Sequence, residues 1–257
     1  MQNNTFFGDL LPHYIIVLNK TTSTNDYLKQ LLTNFTPLPE YTAIMANIQT
    51  QGRGQRGTSW LSEPHQNLTV SLYLKPQELP ISKQFFLTII GSLAIHDSLK
   101  HYINHRISIK WPNDIYIDNR KIGGLLFENK ISGHTLSGSV LGIGLNVRQT
   151  SFPTELQYKA VSLKQLAPHR SFSFIEIIQY IQRYLSHYKN LLTTGQYDTL
   201  LQLYNAYLFQ KDELKTYRAN NRIVEGKIIG VEADGLLQLW EEGEVTKYDL
   251  KDIVYQL

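Results

Sequence analysis

The chain contains no cysteine, and that absence excludes several kinds of protein chemistry. Disulfide bonds, thiolate metal sites and cysteine nucleophiles all need thiols, so a reducing compartment is the simplest setting. A long apolar run is missing as well, since the strongest one near the N-terminus, residues 15–18, is far shorter than a membrane span. The N-terminus lacks the basic segment and the following apolar run that mark a secretory signal. We therefore expect a cytoplasmic protein without a membrane partner.

A strong excess of one charge is also absent. The 25 basic and 22 acidic residues give a net charge of +3, spread along the chain without a basic tract. A nucleic-acid partner is therefore not expected. What the sequence does have is length and apolar content. Its 257 residues, 42% of them hydrophobic, suffice for one large domain or for a large and a small one.

Hydrophobic periodicity predicts an alternation of strands and helices over most of the chain. Strands are predicted at 14–18, 42–48, 68–74, 107–111, 115–117, 122–128 and 135–147, and helices after residue 23 and at 82–102, 174–192 and 197–208. This order predicts an α+β fold in which a mixed sheet carries helices on one face. From about Lys215, closely spaced hairpin turns such as Asp234-Gly235 predict a small β-barrel. The predicted domains are therefore 1–212 and 213–257.

A polar, glycine-rich segment follows the second predicted strand, at residues 49–66. Within it, Gly52–Gly57 matches the G-x-G-x-x-G pattern of dinucleotide-binding loops, but the residues that follow do not open a helix, as that site requires. A flexible loop that carries Arg53 and Arg56 onto a polyanion fits better, because arginine binds carboxylates and phosphates in a fixed, bidentate geometry. Trp60 would offer a flat surface for a base. The alternative is an ordinary solvated loop.

Three further segments combine charged residues, glycine and strand ends: Lys110–Asp114, Arg120–Gly124 and Gly142–Asn146. Asparagine and aspartate that end a strand are suited to bind a sugar, a base or a magnesium ion, although both also form ordinary turns. Glycines within a strand indicate the close approach of a ligand. The lysine beside them supplies a point charge, although a lone lysine in a hairpin is more often simply solvated.

Taken in order, these segments and Ser23–Asn25 resemble the motifs of the biotin–protein ligase family. The resemblance covers roughly residues 14–147. It implies the biotin–lipoate ligase catalytic fold, which is similar to that of class II synthetases, followed by a small SH3-like β-barrel. It further implies that the carboxylate of biotin attacks the α-phosphate of MgATP, so that pyrophosphate leaves and biotinyl-5′-AMP forms. A lysine of a biotin carboxyl carrier domain, as in acetyl-CoA carboxylase, then attacks the acyl carbon.

The resemblance also assigns roles to individual residues. Those implied for catalysis are Lys121 and Arg53. Those implied for biotin binding are Ser23, Thr24, Asn25, Gln49, Gly52, Arg53, Gly54, Gln55, Lys121, Gly124 and Gly142. Those implied for ATP binding are Arg56, Trp60, Lys110, Asn113, Asp114 and Asn146. The resemblance assigns no ligands to the magnesium ion. An exposed edge of the sheet is expected to be able to pair two chains.

Two features depart from the family pattern. Gln55 stands where several members carry arginine, which leaves the loop one positive charge lighter. About 13 residues precede the first predicted strand, too few for the helix-turn-helix domain of members that also act as repressors. A monofunctional ligase without repressor activity is therefore expected. Two other functions stay open at this point: a lipoate–protein ligase or octanoyltransferase of the same fold, and a binding module without catalysis.

Overall fold

A seven-stranded mixed sheet forms the centre of the larger part of the protein. The computed structural model describes residues 14–34, 37–77 and 79–256, and for Arg56 the backbone alone. Its sheet has the order β1-β2-β3-β7-β6-β5-β4, in which β1 and β2 are parallel and the other neighbours antiparallel. The strands are β1 (Ile15–Thr21), β2 (Ala43–Gln49), β3 (Asn67–Leu74), β4 (Ile107–Lys110), β5 (Asp114–Ile117), β6 (Arg120–Ser132) and β7 (Thr135–Asn146).

Three helices, at Phe85–Leu99, Phe174–Thr193 and Tyr197–Ala206, cover one face of this sheet, where the main hydrophobic core lies. The helices of this part of the chain are α1 (Thr24–Asn34), α2 (Phe85–Leu99), α3 (Leu163–Leu166), α4 (Phe174–Thr193) and α5 (Tyr197–Ala206). Helix α2 is buried on nearly all sides because it packs against the sheet, α4 and α5. None of the helices in the described ranges is long and apolar enough to cross a membrane.

Helix α1 lies against the opposite face of the sheet. Its Leu28 packs with Ile44 of β2 and Val140 of β7, whereas the neighbours of Ile44 in β2, Ala43 and Met45, belong to the main core. Successive residues of a strand point to opposite faces, so this split shows which face α1 covers. The predicted α+β fold with a mixed sheet is confirmed. Of the predicted helices, α2, α4 and α5 lie on one face of the sheet, and α1 lies on the other.

A second, five-stranded antiparallel sheet follows α5, with the order β11-β10-β9-β8-β12. Its strands are β8 (Leu214–Ala219), β9 (Arg222–Val231), β10 (Leu237–Glu241), β11 (Glu244–Tyr248) and β12 (Ile253–Tyr255). It packs on the larger part, since buried residues of both sheets belong to one hydrophobic core. Trp111 also donates a hydrogen bond of 2.9 Å from Nε1 to the carbonyl of Gly235. The division of the chain between residues 212 and 213 stays a prediction.

A largely buried carboxylate, that of Asp97 in α2, is 16% exposed and connects the two longest helices. It accepts hydrogen bonds from His96 and Lys100, both at 2.9 Å, and from the hydroxyl of Tyr188 in α4. Burial raises the pKa of Asp97, but the hydrogen bonds from His96, Lys100 and Tyr188 outweigh burial and hold the pKa well below its usual range. The charged carboxylate therefore stabilises the packing of α2 on α4.

Replacing this carboxylate by an amide, Asp97→Asn, is expected to lower the free energy of unfolding by about 2–3 kcal/mol at neutral pH, because three donors lose a charged acceptor. The pKa of Asp97 is lower in the folded than in the unfolded protein, so its contribution is complete above the unfolded value, about 4. The difference between wild type and variant should therefore shrink as the pH falls below 4. Urea unfolding at several pH values measures it, with the exposed Asp198→Asn in α5 as control. An equal loss at every pH would contradict this account.

Candidate active site

A cleft of about 450 Å³ lies on the face of the sheet that α1 covers. The cross-strand row Ile44, Ser71 and Gly142 places the small residues Ser71 and Gly142 on this face. The glycine-rich loop, strands β5 and β6 and the C-terminal strand β12 complete the walls. The volume falls within the range of roughly 300–1,000 Å³ that is typical of small-molecule sites.

One wall is polar and its side chains are fixed by one another. Gln49 accepts hydrogen bonds at its Oε1 from the backbone N–H of Thr24, at 2.9 Å, and from the hydroxyl of Thr24, at 3.1 Å. The hydroxyl of Ser71 lies 2.7 Å from that of Thr24 and 2.5 Å from Oδ1 of Asn25. Ser23, Thr24 and Asn25 are buried at the start of α1. This wall presents preformed donors and acceptors to a neutral polar ligand.

The glycine-rich loop folds back on itself beside this wall. The N–H of Gly54 donates to the carbonyl of Thr58 at 2.7 Å, and the N–H of Trp60 donates to the carbonyl of Gly52 at 3.0 Å. A short 3₁₀ turn, Gln55–Gly57, forms the tip. No α-helix follows before β3, and this agrees with the rejection of a dinucleotide-binding loop. Arg53, Gly54 and Gln55 line the cleft.

The indole ring of Trp60 lies over β7, where glycine leaves room for it. A Cβ atom on Gly144 would lie only 2.3 Å from the ring, so Gly144 is required for this position of Trp60. The indole Nε1 is buried and has no hydrogen-bond partner within the described part of the chain. A buried donor without a partner is costly, and a ligand acceptor would satisfy it. The ring therefore closes one side of the cleft and carries an unused donor.

A β-bulge turns Lys121 into the cleft. In β6, Gly124 and Gly123 pair with Asp114 and Ile115, but Lys121 pairs with Tyr116, so the strand holds one extra residue. Residues three apart in a regular strand point to opposite faces, and the bulge brings Lys121 to the face of Gly124. Its Nζ lies 2.7 Å from Oδ1 of Asp114 and 5.8 Å from the centre of the Trp60 ring.

A second ammonium, that of Lys110, lies deeper in the cleft. Its Nζ is 5.3 Å from the ring centre of Tyr116 and 4.7 Å from that of Tyr255, and no carboxylate of the described residues lies within 4.0 Å of it. Burial lowers the pKa of Lys110, an effect that the charge of Asp114 opposes. A partly desolvated cation without a close counter-ion favours the binding of an anion.

The structure brings most of the predicted site residues together. Those that line the cleft are Ser23, Thr24, Asn25, Gln49, Arg53, Gly54, Gln55, Trp60, Lys110, Asn113, Asp114, Lys121, Gly124 and Gly142. Gly52 and Asn146 are buried outside it, and the amide of Asn146 donates to the carbonyl of Val161 at 3.2 Å. The side chain of Arg56 lies outside the described part. The amide of Asn113 donates to the carbonyl of Leu125, so this side chain already has a hydrogen-bond partner within the protein.

Sequence reasoning missed two contributions to the site. Ser71 bonds to the polar wall, and its place on the polar side of an alternating strand was a signal that could have indicated it. The other contribution comes from the second sheet, whose cleft-lining residues are Leu250, Ile253, Val254 and Tyr255. No local pattern in the sequence shows that these residues reach the cleft, or that Tyr255 lies beside Lys110.

The sequence matches the profile of the biotin/lipoate A/B protein ligase family over residues 17–146. It is 29% identical to the bifunctional ligase/repressor BirA of Bacillus spizizenii over 248 residues, which cover 95% of this chain and 75% of that protein. It is 34% identical to the biotin–[acetyl-CoA-carboxylase] ligase of Paracoccus denitrificans over 106 residues, which cover 40% of this chain and 43% of that protein.

Among solved structures, the fold is similar to that of the biotin protein ligase from Aquifex aeolicus in complex with biotin and ATP. The TM-score is 0.78 at 23% sequence identity, and the alignment covers 96% of this chain and 99% of that one. The similarity therefore extends over both sheets.

Proposed function

Because the chain belongs to the biotin/lipoate A/B protein ligase family, we propose that it is a ligase that activates biotin with ATP and transfers it to a protein. The observation that carries the proposal is the composition of a single cleft. A neutral polar wall around Thr24 and Asn25 suits the ureido group of biotin, and the cations Arg53, Lys110 and Lys121 suit a carboxylate and a triphosphate. The relatives named as biotin ligases support the same choice.

The first half-reaction joins two anions. The carboxylate oxygen of biotin attacks the α-phosphorus of ATP, the bond to the β-phosphate oxygen breaks, and pyrophosphate leaves with its charge. Such a step needs positioning and neutralisation of charge more than proton transfer. Lys121 and Arg53 would contact the reacting oxygens, and Lys110 is suited to the remaining phosphates. Magnesium would enter with the nucleotide, since it binds mainly through phosphate oxygens and water.

The second half-reaction releases AMP. The amine of an acceptor lysine attacks the acyl carbon of biotinyl-5′-AMP, and the bond from this carbon to the phosphate oxygen breaks. Trp60 and the glycine-rich loop would cover the mixed anhydride and exclude water until the acceptor arrives. We propose the biotin carboxyl carrier domain of a carboxylase as the acceptor, a choice that the name of the Paracoccus relative supports.

The experiment that tests this function is the release of pyrophosphate from MgATP by the purified protein with biotin, with lipoate or with neither. Release that needs biotin is the expected result, and transfer to a carrier domain, detected by its gain in mass, would follow. Release with lipoate alone would move the protein to the lipoate branch of the family. Folded protein that binds biotin without consuming ATP would overturn the enzymatic function.

A cytoplasmic location, pairing of two chains at a sheet edge and the absence of repressor activity also stay proposals. The lack of cysteine and of a basic tract supports the first and the last. One of the relatives is itself a bifunctional ligase and repressor, so DNA binding needs its own assay. A mobility shift with double-stranded DNA fragments, with and without biotin and ATP, tests it. We expect no shift.

A further inference from the structure

Four charged side chains beside the cleft form what we term the charged cluster: Asp26 and Lys29 of α1, Arg53 of the loop and Glu128 of β6. Arg53 Nη2 lies 2.7 Å from Asp26 Oδ1 and 3.6 Å from Glu128 Oε1, and Lys29 Nζ lies 2.9 Å and 3.0 Å from the same two oxygens. The two cations and two anions balance. Neither carboxylate lines the cleft, and the proposed reaction gives neither of them a role.

The cluster holds the guanidinium of Arg53 by one end. Nη2 makes both contacts with the carboxylates, and in the described residues no hydrogen bond involves Nε or Nη1. The hydrogen bond between them lowers the pKa of Asp26 and raises the pKa of Arg53, so both groups stay charged. A guanidinium has five N–H donors in a rigid plane, so Arg53 can bind a ligand anion while Asp26 keeps its orientation.

Glu128 also reaches the polar wall of the cleft. Its Oε2 accepts a hydrogen bond of 2.6 Å from Nδ2 of Asn25, and Oδ1 of the same amide faces the hydroxyl of Ser71. One carboxylate therefore orients an amide of the wall and, through its other oxygen, the cations of the cluster. The loop that carries Arg53 is tied in this way to α1 and β6, the two elements that form the ligand wall.

We propose that Asp26 and Glu128 are positioning residues, which aim the guanidinium of Arg53 at the carboxylate and phosphate end of the ligand. This inference rests on the proposed function, because it takes the ligand anion of Arg53 to be the reacting group of biotin. The physical reason is preorganisation: a side chain already oriented loses less freedom when the ligand binds. Asp26 and Arg53 are 36% and 45% exposed, so the effect of one pair is modest.

The first test is Asp26→Asn in the biotin-dependent release of pyrophosphate. We expect the KM for biotin to rise about two- to fivefold, the range for an exposed ion pair, and kcat to fall by no more than the same factor. The control is Asp198→Asn, the same substitution in the first turn of another helix, where the side chain is exposed and no ion pair is present in the described structure. A change in Tm without a change in KM would assign Asp26 a structural role and overturn the proposal.

The sharper test is a double-mutant cycle with Arg53→Gln. If Asp26 acts through Arg53, Asp26→Asn should have no further effect on the KM once Arg53 is replaced. Glu128→Gln should keep part of its effect in that background, because it also orients Asn25. If the wild type needs biotin for release but the effects of Asp26→Asn and Arg53→Gln on the KM are additive, the positioning role is overturned. The proposed function then still stands. A wild type without biotin-dependent release would instead overturn the proposed function and this inference with it.

Discussion

Replacing Lys121 with alanine is expected to slow the release of pyrophosphate about 10²–10³-fold, the usual effect of removing one donor aimed at developing negative charge. The bulge in β6 turns the ammonium into the cleft, and Asp114 holds it at 2.7 Å. Substrate binding relies on many other contacts of the cleft. The loss should therefore fall mainly on kcat, as expected for an interaction that strengthens in the transition state.

Matched variants separate this effect from a loss of folding or of general charge. Lys130→Ala removes an exposed lysine from the same strand and should change kcat little. Lys110→Arg keeps a cation and should lose far less than Lys121→Ala. Single-turnover release of pyrophosphate at saturating biotin and ATP is the measurement. A Lys121→Ala variant with near wild-type kcat would remove Lys121 from the catalytic role and leave Arg53 and Lys110 as the candidates.

The parts of the structure that the sequence predicts are those that depend on neighbours in the chain. The alternation in β3 and the helical spacing of Leu28 in α1 are local patterns, and each predicted its element. The motifs are local too, because each consists of five or six consecutive residues that can be read directly from the sequence. The order of the motifs along the chain carried the family resemblance. The resemblance implied that Lys110 and Lys121 share one site, and both line the same cleft.

Features that depend on distant parts of the chain could not be predicted. The contact of Asn25 with Glu128 joins residues 103 positions apart, and nothing near either residue indicates the other. The bulge at Ile122 depends on how β6 pairs with β5, so the residue types in β6 alone do not predict it. The same reasoning explains why Tyr255, in the last strand, was not connected with Lys110.

Replacing Gly142 with alanine is expected to raise the KM for biotin about 10- to 100-fold, because a buried polar group that loses its partner costs about 1–3 kcal/mol. A Cβ atom at this position would lie 2.5 Å from Oδ1 of Asn25, closer than real contacts allow. Asn25 is only 6% exposed and its amide bonds to both Ser71 and Glu128, so it has little room to move. The added methyl group must therefore disturb the polar wall.

The same strand offers a control for this prediction. A Cβ atom on Gly138, which lies on the same face of β7, would meet Tyr73 at 3.6 Å, an ordinary contact. Gly138→Ala should therefore bind biotin as the wild type does, although both variants add one methyl group to β7. Titration calorimetry with biotin, together with the KM for biotin, distinguishes the two. Equal biotin affinity of the two variants would show that Asn25 does not contact the ligand, and the polar wall would then lose its assignment as the biotin site.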